Sequence, residues 1–337
     1  DQFVPNNAGY NVLSAIRLKG PLHSRILQQS IELIARRHET LRTSFTERGG
    51  RPIQVIAESV TIDLHLVDLI GLPECEREAE VRRLASEAAQ WPFDLTKAPL
   101  FRAKLLRLDT EDHVLVTVIH HIVSDGWSMD VFFRDLGVSY EALSRGQPVS
   151  LPELPVQYAD FAVWQRHSLQ GESIEKQLSY WKRELAGHLP VFELPTDRPR
   201  PAIQTYRGAK KSMVLTQVTS DALRVLSRHE QVTFFMPLLT AFVALLHRYT
   251  GQDEVLIGTD VANRNRVEIE NVIGFFVNLL PIRVDLTGNP TSRDLLRRVR
   301  DTLLGAYAHQ DVPFDKLVAK LNPRRDPSRN PLVQILF

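Results

Sequence analysis

The sequence predicts an α/β protein built from two successive units. Three observations carry that prediction: apolar runs of strand length alternate with stretches at helical spacing, a strand-loop-helix sits at the centre of the first half, and the alternation restarts after a proline-rich connector. A chain of 337 residues can bury a large core and suggests about two domains. The connector sets the expected division, 1–187 as the first lobe and 188–337 as linker plus second lobe.

In chain order, NVLSAIRLKG (11–20) has strand character and ends in a Gly-Pro turn, after which ILQQSIELIARRH (26–38) places Leu27, Ile31 and Ile34 at helical spacing. LRTSF and PIQVI predict short strands, and EREAEVRRLASEAAQ a charged surface helix. FRAKLLRL (101–108) and HVLVTVIHH (113–121) flank the polar turn DTED, a hairpin that sets two central strands side by side. From Trp127 the period changes: Met129, Phe132, Phe133, Leu136, Tyr140 and Leu143 form the stripe of a helix that starts after Asp-Gly, with Ser128 as its cap. LPELPV then precedes the aromatic segment YADFAVWQR and a helix that includes Tyr180 and Trp181. HLPVFELPTDRPRPAIQTYRG (188–208) reads as an extended connector.

Beyond the connector, KSMVLT predicts a strand and SDALRVLSRHE a helix. FFMPLLTAFVALLHRYT predicts a strongly apolar helix, with Pro237 tolerated if Thr233 caps the first turn. EVLIGTDVANR, FFVNLLPIRVDL, the helix LLRRVRDTLLGAYAHQ and a strand PLVQILF complete the second unit. No close repeat links the halves.

Composition narrows the function classes. Hydrophobic content of 43% and charged content of 24% suit a soluble globular protein. Lys plus Arg at 41 against 40 Asp plus Glu leaves a formal charge of +1, which gives no bulk attraction to nucleic acid or membrane. The clusters Arg297, Arg298, Arg300 and Arg324, Arg325 read as ordinary surface. A single cysteine, Cys75, excludes an internal disulfide and a CxxC site and fits a reducing compartment. No apolar stretch approaches the roughly 20 residues that span a bilayer and no secretory leader is visible, so the expected location is the cytoplasm. Starting at Asp1 and stopping inside PLVQILF, the chain is expected to be a segment of something longer, with its second lobe incomplete.

The chemistry concentrates in VTVIHHIVSDGWS, residues 116–128. In an extended strand Leu115, Thr117, Ile119 and His121 share one face, and Val114, Val116, Val118 and His120 the other. Adjacent histidines then point apart and cannot readily hold one metal, and HExxH is absent, so no metal site is expected. One reading is two satisfied histidines at a strand end. The other is that one of them accepts a proton, because an imidazole with an ordinary pKa of about 6.5 is an uncharged base near neutral pH. Asp125 and Gly126 occupy the turn into the next helix, where the aspartate can accept backbone or arginine hydrogen bonds. A structural Asp125 is favoured over a His-Asp dyad. GxSxG is missing, Cys75 lies in a polar loop and Ser124 has only proximity in its favour, which points to reaction without a covalent enzyme intermediate. Nucleotide-binding GxGxxG and GxxxxGK motifs are also missing.

HHIVSDG, His120 through Gly126, resembles the HHxxxDG signature of condensation domains in nonribosomal peptide synthetases, a family similar to chloramphenicol acetyltransferase. RHETLRTSF (37–45), YADFAVWQR (158–166), IGTDVANRNRVEIENVIGFFVN (257–278), HQDVPFDKLV (309–318) and RDPSRNPLVQILF (325–337) resemble the family's other core motifs, in order. The resemblance implies two acyltransferase-like lobes forming a V-shaped pseudodimer, with a tunnel between them. It further implies donor and acceptor peptidyl carrier proteins that bring 4'-phosphopantetheine covalently, no intrinsically bound cofactor, a neighbouring adenylation domain, and a multidomain synthetase making an antibiotic or siderophore peptide. The implied reaction is amide formation between a donor acyl or peptidyl thioester and an acceptor amine, most similar to the class taking an L-configured donor. By resemblance His121 is catalytic, His120 faces away, Asp125 braces the loop through an ion pair with Arg42, Gly126 leaves room for pantetheine, and Ser124 and Trp127 complete the supporting loop. Two departures from the family pattern are Asp260, where proline is common, and Leu279, where a small polar residue is frequent. An acyltransferase using a free amine or a CoA thioester, and a noncatalytic docking module, are the competing functions.

Overall fold

The computed structural model describes the chain apart from residues 1–6, 193, 203–207, 324, 325 and 327 and the side chain of Ser173. The Arg324, Arg325 cluster and part of the 188–208 connector lie outside the described residues. The chain forms two compact units, Asp1–Arg166 with Arg264–Phe276, and His167–Asn263 with Val277–Phe337.

The first unit is built on a four-stranded sheet in the order Asn11–Lys19, Asp112–His120, Phe101–Asp109, Leu64–Asp68, covered on both faces by apolar clusters. β1 (Asn11–Lys19) leads through a turn into α1 (Ser24–Arg37), whose Leu27, Ile31 and Ile34 are buried at the helical spacing the sequence shows. A 3₁₀ turn at Glu39–Arg42 precedes the hairpin of β2 (Thr43–Arg48) and β3 (Arg51–Ile56), so LRTSF begins as a turn and only then extends. β4 (Leu64–Asp68) and α2 (Glu74–Gln90) follow, then β5 (Phe101–Asp109) and β6 (Asp112–His120) as an antiparallel hairpin. α3 (Gly126–Ser144) and α4 (Tyr158–Ser168) complete the unit's regular elements, and YADFAVWQR is therefore helical.

Why HVLVTVIH reads as a nearly unbroken apolar run is now evident. β6 is a central strand between β1 and β5, and Leu115 and Ile119 pack into the cluster of α1 and α3 while Val114 and Val116 pack into the cluster of α2. Burial on both faces removes the polar alternation, Thr117 being buried with its apolar neighbours, and the histidine pair falls where the strand ends, at His120.

The second unit contains α5 (Glu172–Glu184), α6 (Gln217–His229), α7 (Phe235–Thr250), the antiparallel pair β7 (Glu254–Val261) and β8 (Asn278–Asp285), α8 (Ser292–Ala308) and α9 (Phe314–Leu321). Its core includes Leu178, Tyr180 and Trp181 of α5, which is why the first division falls after Arg166 and ahead of the expected 187/188 boundary. Residues 264–276, between β7 and β8 in sequence, pack with the first unit.

Three local readings differ from the structure. KSMVLT forms no strand, because no ladder reaches it among the described residues, and Met213 and Val214 are 85% and 92% exposed. PLVQILF makes a single parallel bridge, Gly258 with Leu336, secured by Gly258 N–H to Ile335 O at 2.8 Å and Phe337 N–H to Gly258 O at 2.9 Å. Thr233 does not cap α7 with its side chain: Phe234 is the cap residue, and Thr233 offers only its carbonyl to Met236 N–H. Pro237 is still accommodated, since a first-turn N–H has no intrahelical partner to lose. Asp260 and Leu279, the two unusual residues, are register partners across β7 and β8. Among the described residues, no helix is long and apolar enough to cross a membrane.

Candidate active site

β6 ends at His120, and His121–Val123 make a 3₁₀ turn, so His121 leaves the strand instead of continuing its alternation. The two rings nevertheless have separate environments. His120 is buried, its Nδ1 accepting from Ile122 N–H at 3.1 Å with Phe93 edge-on at 6.1 Å. His121 is half-buried and its Nδ1 lies 2.7 Å from the carbonyl oxygen of Ser124. A carbonyl only accepts, so Nδ1 carries the proton in the neutral ring and Nε2 keeps the lone pair. The ring of Phe275 stands nearly perpendicular to it, centroids 5.1 Å apart.

Asp125 is the N-cap of α3, and the expected capping by Ser128 is reversed: Ser128 N–H donates to Asp125 Oδ1 at 2.8 Å. Ser128 Oγ lies 2.7 Å from the same oxygen, and Phe276 N–H donates to Oδ2 at 3.0 Å. The ion-pair partner is not Arg42. Arg264 Nη2 approaches Asp125 Oδ1 at 3.1 Å with both side chains buried, whereas Arg42 pairs with Glu39 at 3.3 Å and donates to the carbonyl of Ala57. Arg42 is occupied by Glu39 of its own turn and by Ala57, just past the end of β3, and a buried carboxylate takes the cation that can be fully enclosed beside it. Arg264 also donates to Ile269 O at 2.6 Å and Val272 O at 2.7 Å and lies over the Phe276 ring at 4.1 Å. Burial lowers its pKa, with Asp125 opposing the shift.

The remaining loop residues have clear positions. Ser124 is buried and its hydroxyl faces Asp125 O and the Met129 sulfur, so its contribution to His121 is the backbone carbonyl. Trp127 is partly exposed and its Nε1–H donates to Glu270 O at 2.8 Å. At Gly126 a Cβ would meet no protein atom within 4 Å. Tyr158 donates its hydroxyl to Phe275 O at 2.9 Å, and burial, then Asp125, pushes its pKa up to about 12. Gly274 is required by that contact, since a Cβ there would come within 2.3 Å of the Tyr158 ring.

Arg264, Tyr158, Phe275 and Phe276 are site residues that spacing alone did not single out. Each lies inside a motif the sequence displays, VANRNR, YADFAVWQR or IGFFVN, and the available signal was the need of a buried Asp125 for a cation.

His120 gives the site a pH-dependent stability. Burial, then the neighbouring His121, pushes its pKa down to about 4 from the ordinary 6.5, so the unfolded chain binds this proton first. The contribution is complete above pH 6.5 and is lost as pH falls from 6.5 towards 4, amounting to about 2 to 3 kcal/mol at the acid end. Urea unfolding at pH 7.5 and 4.5 checks it: His120→Gln should lose less stability on acidification than the parent, and an equal loss contradicts it.

These features define a condensation domain. The chain belongs to that family, whose Condensation domain matches residues 1–337. It is 50% identical over 337 residues to a linear gramicidin synthase protein of Brevibacillus parabrevis, covering 100% of this chain and 4% of that protein. The chain thus spans a small fraction of the curated relatives it matches. Among solved structures it resembles the X-domain from teicoplanin biosynthesis, with a TM-score of 0.88, 31% identity, and coverage of 98% of this chain and 73% of that one. It also resembles holo-AB3403, a four-domain nonribosomal peptide synthetase bound to AMP and glycine, with a TM-score of 0.87, 26% identity, and coverage of 98% of this chain and 25% of that one. The fold is accordingly the two-lobe α/β architecture of condensation domains.

Proposed function

We propose that this chain joins a donor acyl or peptidyl thioester to the amine of an acceptor aminoacyl thioester, each borne on the phosphopantetheine arm of a peptidyl carrier protein within a multidomain synthetase. The observation that carries the proposal is the His121 imidazole, fixed with Nδ1–H on Ser124 O so that Nε2 is the proton-accepting atom. The acceptor nitrogen attacks the donor carbonyl carbon, the C–N bond forms and the C–S bond breaks. The amine proton passes to Nε2 and on to the departing pantetheine thiolate, which leaves as a thiol. Much of the acceleration comes from holding two thioesters together, since the amine is already nucleophilic. Asp125 is committed to Arg264, Ser128 and Phe276, so its part is to hold the loop.

Gly126 supports the same reading. The fold does not need a glycine there, because the position is an ordinary helical first turn with open space in front of it. That space suits a pantetheine arm. Gly126→Leu should keep the parental melting temperature and raise the KM for a loaded carrier by about tenfold; an unchanged KM would remove Gly126 from the substrate path.

The acceptor's carrier is tested by competition. Product formation from a loaded acceptor carrier should persist in excess free amino acid or CoA thioester, and equal use of the free acceptor would identify a soluble-substrate acyltransferase. A docking role is the second reading, because the similar X-domain is also solved in a complex with OxyB. An adenylation domain beside this chain, a cytoplasmic location and an antibiotic or siderophore product complete the proposal.

A further inference from the structure

The backbone of residues 273–276 is held almost entirely by side chains. Gly274 N–H donates to Ser128 Oγ at 3.0 Å, Phe275 O accepts from Tyr158, and Phe276 N–H reaches Asp125. Ile273 is gripped at both ends of its polar backbone: its N–H donates to His38 Nδ1 at 3.2 Å, and its carbonyl accepts from Thr40 Oγ1. Both gripping residues come from RHETLRTSF, and all three are buried.

His38 is suited to this by its tautomer. Accepting at Nδ1 places its proton on Nε2, which faces Asp135 Oδ2 of α3 at 3.5 Å. Asp135 also lies beside Arg37 and Arg134, so those three charges surround the ring. Burial lowers the His38 pKa, while Asp135 opposes the shift. A neutral His38 thus stands between α3, the helix that Asp125 caps, and the peptide two residues ahead of Phe275, hydrogen-bonded to the peptide and facing Asp135 across 3.5 Å. Phe275 in turn stands against His121, whose ring, among the described residues, hydrogen-bonds to Ser124 O alone.

We infer that His38 and Thr40 are positioning residues, clasping the Ile273 peptide so that Phe275 stands against His121 and holds its Nε2 in the reactive orientation. The inference rests on the proposed amide-forming role of His121, and it makes an arrangement about 235 residues apart in sequence part of the reaction geometry. Loosening Ile273 frees Phe275 to move, and a small displacement of an imidazole relative to a bound thioester costs rate more than binding.

The test uses the synthetase module that carries this chain, with both carriers loaded. His38→Asn places a side-chain carbonyl near the position of Nδ1 and can still accept from Ile273 N–H; His38→Gln reaches towards Asp135 and leaves that N–H without its acceptor. We expect His38→Gln to lower kcat at least about tenfold with KM for either carrier within about twofold, and His38→Asn to restore most of the rate. The His121 Nδ1–H resonance should persist in His38→Asn and broaden or disappear in His38→Gln. Equal kcat for the two variants, or a parental kcat in His38→Gln, overturns the inference. Should His38→Gln not fold, Thr40→Val removes only the donor to Ile273 O and is held to the same prediction. If the parent forms no amide, the proposed function fails, and the resonance alone decides whether the clasp orients His121.

Discussion

Asp125→Ala is expected to cost about 3 to 5 kcal/mol of stability, because it strands Arg264 as a buried, unpaired cation and removes the cap of α3. Arg264→Ala should cost a similar amount by leaving the carboxylate to Ser128 and Phe276 alone. Since the two residues touch, their effects should be strongly non-additive, and the double variant should be only slightly worse than either single one. Arg42→Ala belongs to another neighbourhood, beside Glu39 and Ala57, so combined with Asp125→Ala it should add to within about 0.5 kcal/mol. Chemical denaturation of the three single and two double variants decides the matter. Coupling of Asp125 to Arg42 and none to Arg264 would contradict the geometry. The folded fraction of Asp125→Asn should retain a turnover rate within a few fold of the parent, which separates loop support from chemistry.

His121→Ala should lower single-turnover amide formation by about 10² or more, with both loaded carriers still binding and the melting temperature nearly unchanged. The ring is half-buried, hydrogen-bonds to its own turn and meets Phe275 edge-on, and it lies outside the core clusters, so its removal leaves the core intact. His120→Ala should do the reverse. That ring is 7% exposed against Phe93 and Tyr10, and its loss opens a cavity at the end of the central strand. Near-parental turnover in His121→Ala, or full stability with no turnover in His120→Ala, would exchange their roles.

Most of the secondary structure was legible because local patterns and burial agree. Leu27, Ile31 and Ile34 carry the period of α1, and the DTED turn marks the hairpin of β5 and β6. Two of the failures, the KSMVLT strand and the cation beside Asp125, depended on a partner far away in the chain, while the cap of α3 turned on a local choice between Asp125 and Ser128. KSMVLT has strand composition, but a strand exists only where another strand offers hydrogen bonds. Ser128 was a plausible cap from its type, yet the capping group is decided by which side chain faces the free N–H groups, and that is Asp125. In the same way sequence showed that Asp125 needs a cation without showing which arginine the fold brings to it. Arg264 is 139 residues away, on the segment that leaves β7 and packs with the first unit. The two histidines do have separate environments, but the strand alternation that separates them in sequence ends at His120, and the 3₁₀ turn at His121 does the separating instead.

The most direct test of the central claim is intact mass measurement of the acceptor carrier after a single turnover of the parent protein with a loaded donor carrier and a loaded acceptor carrier. The account predicts that the acceptor gains the mass of the donor acyl or peptidyl group, joined through its amine, while the donor carrier is left with a free pantetheine thiol. Two carriers that bind and return with their original masses would contradict it, and would make this chain a docking module that retains the histidine signature without its chemistry.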